Sequence, residues 1–365
     1  MGKVFKLNYA NRDLGLDLVK CLCMLLVVLD HSLQKYVPGI FYTPLYNIIW
    51  LLQMPAFFFI SGYLSKKTFS DIKTFLLWAA KTAIFYLVPF LTHGLLIYAT
   101  QLLRPAFGTF LYGLIANPDS SLWFLFVLFW IVLIVGLGTY LSHFLKNRVM
   151  KFLLPLFFAV FLELIAFIIF ERMGGLFFSS KLIIYYNLIY CAGYIGYFVK
   201  NNFCVNIQNK KVFFWITTLV AGVGFFTVVF AVPSAIFLTN SIGDLLIRIA
   251  GSFCGVIFVV QLFSKASSQF KFLTFLGYCG QYSLEIYYLH RFFVRFAPDL
   301  GTLSVINQWL AALFLFVVLI VMSIIALIVL FLVPFGHLIM FGKAKSLWNF
   351  EHDFLALNAF MKQLR

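Results

Sequence analysis

Charge is the scarcest commodity in this sequence. Asp, Glu, Lys and Arg make up 11% of the 365 residues, while 63% are hydrophobic and the mean hydropathy is +1.01. A soluble domain carries about a quarter charged residues, so that class is excluded. No stretch is polar enough or long enough to form a separate soluble domain, and no linker is rich in Gly, Pro or Ser. The two halves show no repeat, which weighs against an inverted-repeat transporter. The six cysteines, Cys21, Cys23, Cys191, Cys204, Cys254 and Cys279, form no C-x-x-C pair, so free thiols are expected. No histidine and cysteine grouping has zinc spacing, and a metal site is not expected.

What the chain has instead is a series of apolar runs, each long enough to cross about 30 Å of hydrocarbon. They cover approximately 14 to 33, 45 to 64, 75 to 100, 121 to 142, 152 to 170, 181 to 199, 212 to 231, 243 to 262, 272 to 293 and 309 to 340. The expected fold is an all-α, polytopic membrane bundle of about ten helices. The net charge of +15 does not point to nucleic acid, because Lys and Arg fall in alternate loops. The side of the N-terminus holds eighteen of them, including Lys3, Lys6, Arg12, Lys66, Lys67, Lys73, Lys210 and Lys211. The other side holds six: Lys35, Arg104, Arg172, Lys181, Arg291 and Arg295. By the positive-inside rule both termini are expected in the cytoplasm, in a multi-pass protein of the cytoplasmic (inner or plasma) membrane. The first run is longer than a signal core and no small-residue cleavage pattern follows Leu33, so a retained helix is expected. One membrane domain is expected over residues 1–341. The tail over 342–365, with Trp348, Phe350, Phe354 and Phe360, is expected to lie on the inner membrane surface. Residues 101–121, with Pro105, Gly108, Gly113 and Pro118, form the longest outer loop and a candidate lid.

The first run is unusual because Asp17, Lys20 and His31 lie inside it. Ionisable groups at membrane depth are costly and mark functional sites by default. At about 100° per residue, Lys20 and His31 fall within roughly 20° of each other, and Asp17 about 60° from Lys20. The rise sets His31 roughly 16 Å above Lys20, so one long molecule can touch both. A partly buried imidazole is expected neutral near pH 7, the form a general base needs. Asp30 is about 100° round the helix from His31 and a poor orienting partner, which leaves Glu163 or Glu285 for that role. Lys20 and Asp17 read either as a mutually neutralising i,i+3 pair or as a cationic anchor for an anionic ligand entering from the cytoplasm. Lys81, Glu163, Arg248 and Glu285 also lie within apolar runs. In MPAFFFISGYL, residues 54–64, Pro55 with Ser61 and Gly62 predict a kink and a close helix contact. In SSLWFLF, residues 120–126, Trp123 reads as an interfacial aromatic. In YSLEIYYLH, residues 282–290, Glu285 and His290 lie about 140° apart and form no local pair.

Taken together, LGLDLVKCLCMLLVVLDH, MPAFFFISGYL, SLWFLFVLF and LGYCGQYSLEIYYLH resemble the membrane-bound acyltransferase-3 family, and within it the sugar 4-O-acetylases of the fucose type. The four motifs stand in the family's order over roughly 290 residues. The resemblance implies transfer of an acyl group, usually acetyl, from cytoplasmic acyl-CoA to a hydroxyl of a cell-surface glycan or lipid-linked sugar. Lys20 and His31 match the family's basic residue and essential histidine. Where many members carry an arginine pair early in helix three, only Lys81 stands here. Some members add an extracytoplasmic esterase-like domain; none is present in this sequence, and direct acylation by the membrane domain is expected.

The resulting assignment has His31 as general base, or as the nucleophile of an acyl-histidine. Lys20 and Lys81 hold the donor phosphates, and Asp17, Ser61, Trp123, Glu163, Glu285 and His290 face the substrate. Ser61, Tyr287, Tyr288 and His290 are candidate donors to the tetrahedral oxyanion. The donor acetyl-CoA is a substrate, with no tightly bound cofactor expected. A transporter or flippase of lipid-linked sugars or small anions is the competing reading, motivated by the buried charges.

Overall fold

The structure, a computed structural model, describes residues 12–65, 67–101, 105–116, 118, 121–171, 179–202, 210–233, 241–266, 270–301, 303–332 and 340–342. The expected surface tail from 343 onward, the basic residues Lys3 and Lys6, and Lys66 lie outside them. In hydrocarbon every backbone N–H and C=O has to be satisfied within the chain, and an apolar sequence meets that demand as helix. Twelve α-helices result among the described residues: α1 Leu14–Tyr36, α2 Pro44–Tyr63, α3 Ile72–Thr100, α4 Phe107–Ala116, α5 Trp123–Ser142, α6 Arg148–Glu171, α7 Ser180–Asn202, α8 Lys210–Ala231, α9 Ile242–Phe263, α10 Lys271–Gln281, α11 Ser283–Phe293 and α12 Val305–Leu332. The protein is an all-helical, multi-pass membrane protein, 86% helix with no strand among those residues.

Among the described residues, eight helices are long and apolar enough to cross a membrane: α2, α3, α5, α6, α7, α8, α9 and α12. Two of the ten apolar runs depart from that pattern, for different reasons. The first folds as one helix but carries Asp17, Lys20, Asp30 and Lys35 in 23 residues. The ninth is broken at Tyr282 into α10 and α11 of eleven residues each. The expected outer loop is also partly helical, since the apolar stretch 107–116 forms α4.

Polar side chains cap the starts of α1, α2 and α3. Asp13 accepts from the Leu16 N–H at the start of α1, and Thr43 from Tyr46 N–H ahead of Pro44 in α2. Asp71 and Thr74 form a capping box on α3.

The chain forms two compact units. Among the described residues, one comprises those of 12–65 and 188–326, the other those of 67–187 with 327–332 and 340–342. In the first unit α1 packs against α2, α9, α10 and α11, and α8 packs against α9 and α2. Its core joins Leu16, Val19 and Cys23 of α1 to Ile49, Leu52 and Ala56 of α2, Phe225 of α8 and Val256 of α9. Small residues let backbones meet where lipid supplies no hydrophobic drive. A Cβ on Gly62 would strike the Tyr190 carbonyl of α7, one on Gly193 the Phe59 carbonyl of α2, and one on Gly280 the Asp17 carbonyl of α1. Asn47 of α2 donates to the Val229 carbonyl at 2.9 Å, and Thr218 of α8 to Gln261 of α9 at 2.6 Å.

In the second unit α5 packs against α3 and α6. Gly136 of α5 admits the Trp78 ring, and Gly138 admits the Pro155 backbone of α6. Ser121 donates to the Phe90 carbonyl at 3.1 Å, and its oxygen lies 3.2 Å from His93 Nδ1.

The five described cysteines are free thiols; Cys204 lies outside the described residues.

Candidate active site

α1 carries its polar groups at two levels. At the lower level Asp17 is 2% exposed, and both its oxygens are occupied. Arg12 grips it through Nε and Nη2 at 3.0 Å each, and Lys20 Nζ adds a third bond at 3.2 Å. Bidentate guanidinium binding is the strong form of such a pair. The i,i+3 pair of Asp17 and Lys20 is formed, with Arg12 as a further participant that the sequence placed in a loop. Asp17 serves as the anchor of two cations, and both its oxygens are already engaged.

At the upper level His31 is partly exposed, and its Nδ1 lies 3.0 Å from Nε2 of His290 on α11. The two rings are nearly coplanar, 19° apart, with centroids separated by 5.2 Å. His290 is fully buried, and its Nδ1 lies 2.9 Å from the Ile286 carbonyl one turn earlier. A carbonyl only accepts, so His290 Nδ1 carries the proton and, in the neutral ring, Nε2 is a lone pair. His31 must then donate through Nδ1–H, which leaves His31 Nε2 unprotonated. A backbone carbonyl thus fixes the tautomer of both rings.

This departs from the expected arrangement. The orienting partner of His31 is an imidazole, where Glu163 or Glu285 was sought. Both nitrogens of His290 are engaged, so it has no N–H for an oxyanion. Glu285 is fully buried on α11, and Glu163, 3% exposed, faces Asn187. Ser61 is committed as well, its hydroxyl donating to the Phe57 carbonyl at 2.8 Å. Trp123 opens α5 with its ring centroid 5.5 Å from that of Tyr186, and Lys81 is exposed on α3. Lys81, Trp123 and Glu163 belong to the unit over 67–187, whereas Asp17, Lys20, His31, Ser61, Glu285 and His290 belong to the other.

Arg291 and the pairing of His290 with His31 escaped the sequence reading. The partnership of His290 was legible in one respect: by the alternation of loops, runs one and nine cross in the same direction, and both histidines lie toward the later end of their run. Arg291, counted as a loop charge, acts electrostatically on His31, His290 and Asp30 together.

A partly exposed imidazole with a fixed tautomer thus stands near the end of the polar stripe on α1, inside a helical membrane protein. The chain matches the acyltransferase domain model of the acyltransferase-3 family over residues 13–358. It belongs to that family and is a membrane acyltransferase. No curated protein and no solved structure matches the chain.

Proposed function

We propose that the protein is an O-acetyltransferase of the sugar 4-O-acetylase type in the cytoplasmic membrane, with both termini in the cytoplasm. It takes acetyl from cytoplasmic acetyl-CoA and delivers it to a hydroxyl of a cell-surface glycan or its lipid-linked precursor. The observation that carries this reading is the hydrogen-bond chain from the Ile286 carbonyl through His290 to His31, which leaves His31 Nε2 as a base.

In the reaction, Nε2 takes the proton of the sugar hydroxyl as its oxygen attacks the thioester carbonyl. The tetrahedral intermediate collapses, the C–S bond breaks, and the thiolate leaves. The developing oxyanion finds the positive charge of Arg291 close to the base. Lys20 and Arg12 supply cations for the phosphates at the other end of α1, roughly 16 Å away. Those charges are shared with Asp17, so a bound phosphate competes with that carboxylate for them.

The test is mass analysis of surface glycans from cells with and without the protein, and with His31→Ala. Acetyl adds about 42 mass units, the mass of C2H2O. We expect that increment with the native protein and its loss in His31→Ala at equal membrane expression. Full acetylation in the variant would remove His31 as the base. Transport of a labelled glycolipid in purified vesicles without acetyl-CoA, unaffected by His31→Ala, would favour a flippase instead.

A further inference from the structure

Beside the histidine pair, two buried oxygens lack the donors they need. Asp30 precedes His31 and points toward α2, where Gln53 Nε2 donates to its Oδ2 at 3.2 Å. Asp30 is 3% exposed and Gln53 7%. The remaining oxygens, Asp30 Oδ1 and Gln53 Oε1, are both buried with no hydrogen-bond donor among the described residues. Gln34, one turn on in α1, approaches the same carboxylate without placing a donor within bonding distance of Oδ1.

A buried acceptor left unmade costs about 1–3 kcal/mol. Native proteins keep few of them, and two on one hydrogen-bonded pair call for donors from outside the chain. Neutral hydroxyl groups suit both oxygens, since Gln53 Oε1 belongs to an uncharged amide and Asp30 already feels the positive charge of Arg291. The same Arg291 acts on His31, so the unpaired oxygens and the base share one electrostatic neighbourhood.

We propose that Asp30 and Gln53 form a hydroxyl-binding subsite that holds the acceptor by two neighbouring hydroxyl groups, so that the substrate class is a sugar with a free vicinal diol. Asp30 Oδ1 accepts from one hydroxyl and Gln53 Oε1 from the next, and no covalent step is involved. The subsite deepens the acetyltransferase reading and rests on it for the reaction, but its binding is measurable without chemistry.

The experiment is saturation-transfer NMR on the purified full-length protein in nanodiscs. The probes are methyl glucopyranoside, galactopyranoside and fucopyranoside, with their singly deoxygenated analogues. We expect at least one glycoside to receive saturation and to lose it when either of two adjacent hydroxyls is removed. The nearly isosteric Asp30→Asn and the independent Gln53→Met should each weaken binding about tenfold, the usual effect of losing one such hydrogen bond. Acetyl-CoA binding and the unfolding temperature report that the variants remain folded. Unchanged sugar binding in both folded variants, equal binding of all deoxy analogues, or no saturation of any glycoside would each overturn the subsite. His31→Ala separates the two ideas. Retained sugar binding with acetylation that does not need His31 sinks the acetyltransferase mechanism alone. Lost sugar binding in the native protein with acetylation that does need His31 sinks the subsite alone.

Discussion

Replacing His290 tests the tautomer argument most directly. His290→Leu removes the acceptor of His31 Nδ1–H while leaving His31 in place. A buried N–H without a partner is unfavourable by about 1–3 kcal/mol. The imidazole of His31 is free to relieve this by moving its proton to Nε2, the nitrogen that has to be bare. At 1.36 kcal/mol per tenfold in rate, the productive tautomer becomes about 5- to 150-fold rarer. The expected result is a fall of that size in the rate at saturating acetyl-CoA, with the KM for acetyl-CoA unchanged. His290→Gln, which restores an acceptor oxygen, should recover activity to within about tenfold of native. The assay is incorporation of labelled acetyl into membranes of expressing cells, which contain the natural acceptor. A leucine variant that is folded and transfers acetyl at the native rate would refute the assignment. So would a glutamine variant no better than leucine.

Other perturbations read other parts of the structure. Lys20→Ala should raise the KM for acetyl-CoA several-fold, about what loss of a partly exposed charge-assisted contact brings, and Lys20→Arg should preserve it; equal KM values in all three proteins would end the anchoring role. Gly280→Leu drives a side chain into the Asp17 carbonyl and should cost about 1–3 kcal/mol by overpacking. A lower unfolding temperature in detergent checks this, with Gly108→Ala, which meets nothing within 4 Å, as the neutral control. Asp71→Ala should fray the first turn of α3, seen as faster tryptic cleavage after Lys73. The Asp71 carboxyl is held below its usual range by the Thr74 N–H and the Ser70 hydroxyl. The cap is therefore present above the ordinary carboxylate pKa and is lost as pH falls through the lowered one, so cleavage by an acid-active protease should rise only in strong acid.

The apolar runs were legible because helix is the economical way to satisfy a backbone in lipid, and each run meets helix in the structure. The break at Tyr282 was not, because no proline marks it; the adjacent Gly280 is explained by its contact with α1, which a linear reading does not supply. The stripe of Asp17, Lys20 and His31 followed from helical periodicity alone. Its partners did not, since Arg12 approaches from outside the helix and His290 from 259 residues away. Asp30 shows the same division. Periodicity turned it away from His31 correctly, but only the packing of α1 on α2 gave it Gln53.

The hydrogen-bond chain behind His31 ends on a main-chain oxygen, which neither yields a proton nor keeps one. Whatever His31 picks up has no back door through α11. In the proposed reaction it departs from the nitrogen by which it arrived, and the newly freed sulfur is its destination. A full turnover is then electroneutral, with no ion stranded in the bilayer. Collapsing the membrane potential with an ionophore is expected to leave the acetylation rate untouched.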